Sequence, residues 1–232
     1  MKTVSICQPH FIPWLGYFRM IKNSDKFIFL DDVQYNRRSW QNRVHIRSSI
    51  NANDKKYLSL SVKENSRSKK IKEVFLHEHN ITNINNQIIN SYQSSKNFKK
   101  IKNFLMNFFE KNIKKDLASI NIGLITEICK ILNIELTYDL SSNLNVNNKK
   151  KENLILEILK QEEAKIYLSN LGSKNYVDEI FFQKNNIQVI YNQFFHPIYD
   201  QNTKIKLEFL PNLSVIDLLM NHNNPSEIFK NF

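Results

Sequence analysis

An amide, an imidazole, two carboxylates and a guanidinium crowd the opening of this chain as Gln8, His10, Asp31, Asp32 and Arg43, with the indole of Trp14 and the phenol of Tyr17 among them. An imidazole can act as a general base or donate to a phosphate or carbonyl oxygen. A carboxylate nearby can orient that ring, bind a sugar hydroxyl or deprotonate an amine. Rings at residues 14 and 17 fall one and about two helical turns beyond His10, where they can wall the same pocket. His10, Asp31 and a second imidazole, His196, are therefore the candidate catalytic groups. Gln8, Trp14, Tyr17, Asp32, Asn42 and Arg43 are candidate substrate contacts.

Two tempting alternatives are weaker. Cys7 stands close to His10, and a thiol activated by an imidazole can form an acyl intermediate. The two residues fall in different local structures, however, and a strand cysteine usually packs. His77 and His79 flank Glu78, but side chains at i and i+2 on a helix diverge. No metal site is expected.

Arg37, Arg38, Arg43 and Arg47 are interleaved with Tyr35 and Trp40. Forked guanidinium groups suit phosphate or carboxylate. Stacking of nucleic-acid bases is the competing use, but no RNA-binding signature or helix-turn-helix pattern accompanies it. A small phosphorylated ligand is expected, and no nucleic acid. The segment Ser169 to Tyr176 carries hydroxyls, Gly172 and Lys174 in a strand-to-helix connection that can offer backbone N–H groups to an anion. Ser169 and Tyr176 join the substrate contacts, as do Tyr199 and Gln201 beside His196.

The elements that must position these groups follow from periodicity. Thr3 to Cys7 and Lys26 to Leu30 read as strands, with a helix that Pro13 can open between them. Val44 to Ile46 and Tyr57 to Val62 read as a pair joined by a turn at residues 51–54. Residues 66–135 are mostly helical, with apolar stripes at Ile101, Phe104, Leu105, Phe108 and Phe109 and at Leu124, Ile125, Ile128 and Leu132. From there the rhythm changes. Ile134 to Leu140 (strand), Lys151 to Glu163 (helix), Lys165 to Leu168 (strand), Tyr176 to Lys184 (helix) and Ile187 to Tyr191 (strand) imply parallel strands with crossover helices. Short helices at Val215 to Met220 and Pro225 to Phe232 close the chain. The expected fold is α/β, a mostly parallel, Rossmann-like three-layer sheet. Residues 1–65 and 134–232 would form its core, and 66–133 a largely helical insert. In open sheets of this kind ligands bind at the carboxyl ends of the strands.

Composition bounds the remainder. The chain has 232 residues with 33 Lys+Arg against 22 Asp+Glu, a net charge of +11 that suits anionic partners. Its three glycines, Gly16, Gly123 and Gly172, cannot build a P-loop or a G-x-G-x-x-G turn. Walker ATPases and ordinary dinucleotide-binding dehydrogenases are excluded. Two distant cysteines, a start too short for a signal peptide and the lack of a spanning apolar run predict a cytoplasmic protein without a membrane span.

Several stretches together resemble one family. They are Gln8-Pro9-x-x-x-Pro13-Trp14-Leu15-Gly16-Tyr17-Phe18, Ser24-Asp25-x-Phe27-x-x-Leu30-Asp31-Asp32-Val33-Gln34 and Trp40-x-Asn42-Arg43. Further matches are Tyr167-x-Ser169, His196-Pro197-x-Tyr199-x-Gln201 and Leu213-Ser214-x-x-Asp217. The chain resembles the WbqC-like family of bacterial surface-polysaccharide gene clusters from end to end. The resemblance implies a transferase in surface-glycan synthesis, moving an acyl or aminoacyl group to the amine of a nucleotide-linked amino sugar. Coenzyme A, an acyl-carrier thioester or ATP would be the co-substrate, with no tightly bound cofactor, and an acidic carrier protein is a candidate partner. The alternatives are an ATP-dependent adenylating or ligating enzyme, suggested by the opening's likeness to nucleotidylyl-transferase folds, and a non-catalytic carrier-binding module. The resemblance transfers no catalytic residue.

Overall fold

The computed structural model describes residues 1–64, 66–146, 151–201 and 208–229. The last three residues of the expected Pro225 to Phe232 helix lie outside the described residues.

Alternation in the first two strands settles the layers. β1 (Thr3–Cys7) and β2 (Lys26–Phe29) pair in parallel, joined by α1 (Leu15–Lys22). Successive side chains on a strand face opposite ways. Phe27 and Phe29 accordingly join a core with α1 on one side of the sheet, while Val4, Ile6 and Ile28 join a separate core on the other.

After β2 the chain makes a long excursion. It forms an antiparallel hairpin, β3 (Arg43–Arg47) with β4 (Lys55–Ser59), and then three helices: α2 (Asn80–Tyr92), α3 (Phe98–Asn112) and α4 (Leu117–Leu132). Of the expected apolar stripes, Ile101, Leu105 and Phe109 and Leu124, Ile125, Ile128 and Leu132 are buried in the first core, while Phe104 and Phe108 pack against it partly exposed. The chain returns as β5 (Tyr138–Leu140), beside β2. This strand is shorter than expected because residues 133 and 134 finish α4. Asn133 takes a left-handed conformation, and the N–H of Ile134 donates to the Cys129 carbonyl at 2.9 Å.

α5 (Lys151–Gln161) then crosses to β6 (Ile166–Asn170), and α6 (Glu179–Lys184) to β7 (Gln188–Asn192). Leu156, Leu159 and Phe182 of these helices fill the second core. α6 starts later than expected because the Asp178 side chain caps it, accepting from the Phe181 N–H at 3.0 Å. α7 (Val215–Asn221) closes the first core.

The sheet order is β5-β2-β1-β6-β7, all parallel. Counted along the sheet's own strands this is 3-2-1-4-5, the doubly wound order whose direction reverses between the first and fourth. The expected α/β, three-layer, Rossmann-like class is what the structure shows. The ladder between β1 and β6 is short: Thr3 pairs with Ile166 and Val4 with Tyr167. Beyond them the Ser5 hydroxyl donates to the Leu168 carbonyl at 2.9 Å. The two strands part toward their carboxyl ends, and a crevice opens there.

Candidate functional site

That crevice is a cavity of about 900 Å³, within the size range of small-molecule sites. Cys7, Gln8 and His10 from the end of β1 line one wall, and Ser169, Asn170, Ser173 and Tyr176 from the end of β6 line the other. Lys151 and Glu152 of α5 and Trp40 of the hairpin's approach complete the rim.

The β1 wall is built from afar. The Gln8 Oε1 accepts from the Gln41 Nε2 at 2.8 Å, which turns the Gln8 amide to a fixed orientation. Gln41 is held in turn by the Asn36 N–H, which donates to its Oε1 at 2.9 Å. The buried Asn121 of α4 donates to the carbonyls of Pro9 and Gln41 at 2.9 and 2.8 Å. Tyr17 lies beneath rather than in the cavity. Its hydroxyl donates to the Gln8 carbonyl at 2.9 Å, and its ring sits 5.1 Å from that of His10. Burial drives the His10 pKa down to about 4, so the imidazole is neutral near pH 7 with a lone pair to accept a proton. The Cys7 thiol is pushed up to about 12, chiefly by burial, and stays protonated. A thiol so held is a poor nucleophile.

The turn after β1 carries strain. Ile12, a buried β-branched residue, has φ of 37°, a conformation that costs on the order of 1–3 kcal/mol. It persists because neighbours dictate it. The Phe11 N–H donates to the Trp40 carbonyl at 2.8 Å, the Val215 N–H to the Pro13 carbonyl at 3.0 Å, and the Ser214 hydroxyl to the Ile12 carbonyl at 2.7 Å. Pro13 therefore precedes the helix instead of opening it, and Trp14 occupies the cap position of α1. The Trp14 ring lies over Gly16: a Cβ there would come within 2.3 Å of it.

The β6 wall is a compact turn. Ser169 and Ser173 share a hydrogen bond at 2.7 Å, and the Asn170 side chain accepts from the Gly172 N–H at 3.3 Å. That N–H already has a partner. The Tyr176 ring is 73% exposed at the mouth.

The other sequence candidates lie elsewhere. The buried Asp31 carboxylate accepts from the Ser142 N–H and hydroxyl at 3.0 and 2.6 Å and from the Ser141 hydroxyl at 3.1 Å. Asp32 also accepts from Ser141 and lies 3.8 Å from the Lys70 ammonium. Both carboxylates hold the turn after β5, and among the described residues no hydrogen bond joins Asp31 to His10. Asn42 donates to the Leu60 carbonyl at 3.1 Å and ties the hairpin. The Arg43 guanidinium stacks 4.0 Å from the centroid of Tyr57 on the hairpin's outer face. His196 packs against Phe194, Tyr199 and Phe209, and burial lowers its pKa. Tyr199 and Gln201 both donate to the buried Asp217 at 2.9 Å, and the Gln201 Oε1 accepts from the buried Arg47 at 2.6 Å. These residues form an internal polar network, not a wall of the cavity.

Residues outside the named site candidates contribute as well. Trp40, Asn170 and Lys151 line the cavity, while Gln41 and Asn121 hold it. Asn170 and Lys151 had a usable signal: each stands where a sheet strand ends or the following helix begins. A shallower groove of about 700 Å³ between α3 and α4 is lined by Phe104, Phe108, Lys111 and Tyr138 and holds no histidine.

Fold and cavity define a doubly wound α/β protein with a roomy cavity at its switch point. Within that class the chain belongs to the WbqC-like protein family, whose model matches residues 8–228. It is 29% identical over 223 residues to uncharacterized protein Rv1507c of Mycobacterium tuberculosis, covering 95% of this chain and 94% of that one. No solved structure matches. Among the described residues, no helix is long and apolar enough to cross a membrane, and no group of His, Cys, Asp and Glu is placed to hold a metal ion.

Proposed function

We propose that this chain is a transferase of bacterial surface-glycan synthesis that moves an acyl or aminoacyl group onto the amine of a nucleotide-linked amino sugar. The observation that carries the reading is the neutral imidazole of His10 in the wall of a roomy, polar-rimmed cavity at the switch point. The acceptor's diphosphate would lie toward Lys151 at the start of α5, where both the ammonium and the helix end favour an anion. Sugar hydroxyls would meet Gln8, Asn170 and Ser173, whose amides and hydroxyls offer donors and acceptors.

The acceptor nitrogen attacks the carbonyl carbon of a thioester donor. His10 takes the proton from that nitrogen as the C–N bond forms. The C–S bond breaks, and the imidazolium returns the proton to the departing sulfur. A free-enzyme pKa near 4 makes His10 a weak base, and the negative charge of a bound diphosphate would favour the imidazolium and raise that value. Transfer is direct, since a thiol held near 12 does not form an acyl-enzyme.

The test is a panel of nucleotide-linked amino sugars and coenzyme A or carrier-protein thioesters, followed by mass spectrometry of the sugar. Acylated sugar should form, and His10→Ala should slow it by roughly 10²–10⁴-fold, while Cys7→Ala should not. Pyrophosphate release from ATP without any thioester requirement, or an unaffected His10→Ala enzyme, would overturn the assignment.

A further inference from the structure

His10, Trp40 and Asn170 line two cavities at once. The first is the polar-rimmed site at the switch point. The second, about 400 Å³, lies against the same three residues and is lined further by Phe11, Pro13, Trp14, Val44, His45 and Asn212. We propose that this smaller cavity receives the apolar acyl chain of the donor thioester, so that donor and acceptor meet across His10. The proposal rests on the transfer reading above, and it selects an acyl over an aminoacyl group.

The chemistry of the walls supports that choice. Phe11 and Val44 are buried, and two indoles and a proline ring supply the remaining apolar surface. Among the described residues, the lining holds no carboxylate and no lysine or arginine. An ammonium, as on an aminoacyl group, would be desolvated there without a counter-charge. A hydrocarbon chain gains by leaving water.

The cavity is also fixed in advance. The strained turn at Ile12 sets Phe11 and Pro13, and the Phe11 N–H ties that turn to the Trp40 backbone. Trp14 is held edge-on by Phe194, with ring centroids 5.1 Å apart. Walls set before binding lower the ordering cost of the ligand.

Trp14 and Trp40, the chain's two tryptophans, both line this cavity, so intrinsic fluorescence reports on it. The probes are S-acetyl- and S-octanoyl-N-acetylcysteamine, titrated into the full chain. Affinity should rise roughly fourfold per buried methylene, leaving octanoyl at least about tenfold tighter than acetyl, with a saturable change in emission. Val44→Phe, which fills the cavity without adding an indole, should abolish that preference. Trp40→Ala, at a ring already 47% exposed, should weaken octanoyl binding by opening the wall. Equal binding of the two probes, or octanoyl affinity unchanged in both variants, overturns the proposal. Selective octanoyl binding with no acylation of any amino sugar supports the cavity assignment and overturns the transfer reading instead.

Discussion

The hydroxyl of Ser214 donates to the carbonyl of Ile12 at 2.7 Å across 202 positions of sequence. The same side chain accepts from the Ile216 N–H and caps α7. One residue thus joins the start of the last α-helix to the strained turn that carries His10. Ser214→Ala removes the cap and leaves a buried carbonyl without its donor. It should cost about 1–3 kcal/mol in urea unfolding. A lower transfer kcat with the variant still folded would show that the turn's shape matters for chemistry, and Ser214→Thr should restore it.

The pH dependence should differ from that of an ordinary histidine. His10 has a folded-state pKa of about 4 against 6.5 when unfolded. The unfolded chain therefore takes up the proton first as pH falls. Stability linked to this group is complete above about 6.5 and declines toward 4. Transfer kcat/KM should show no step near 6.5 and an acid limb near 4. The kcat profile, read with diphosphate bound, should have its acid limb at higher pH. NMR titration of the His10 ring checks the free value directly, and a free pKa near 6.5 contradicts the lowered value of this half-buried imidazole.

Gly16 and Gly172 should respond differently to alanine. In a helix interior Gly→Ala gains about 1 kcal/mol from propensity. At Gly16 the new methyl meets the Trp14 ring at 2.3 Å, and overpacking costs typically 1–3 kcal/mol. The clash should win, with altered Trp14 fluorescence and a lower Tm. At Gly172 nothing lies within 4 Å, so alanine should leave the Tm within a degree or so of the wild type.

Asp217 is a buried carboxylate whose pKa burial raises to about 6, against the pull of Tyr199, Gln201 and Arg47. Between about 4 and 6 the folded protein holds a proton that the unfolded chain has released. This group's contribution to stability therefore falls as pH rises through that window. Asp217→Asn keeps an oxygen acceptor and removes the titration, so the difference in unfolding free energy between wild type and variant should slope between pH 4 and 6 and flatten above. Asp217→Ala strands the Tyr199 hydroxyl and should cost about 1–3 kcal/mol at pH 7.

Much of this architecture was legible because periodicity is local. Alternation in Thr3–Cys7 and the stripes at Ile101 and Leu124 report which faces seek burial, whatever they meet. Element ends were less legible, since capping by Asn133 and Asp178 depends on backbone geometry that pattern alone does not specify. Within the cavity, Gln8, His10, Ser169 and Tyr176 could be read from their places at strand ends.

The opening segment by itself determined the family likeness and the strand-turn-helix that presents His10. It could not determine which distant groups that segment would meet. Asp31 stands near His10 in sequence order yet serves Ser141 and Ser142, while Trp40, Asn170 and Lys151 arrive at the cavity from three separate elements. The reason is physical. Hydrophobic pattern sets which side of a strand is buried, but the sheet order 3-2-1-4-5, and with it the parting of β1 from β6, emerges only when all the layers pack together.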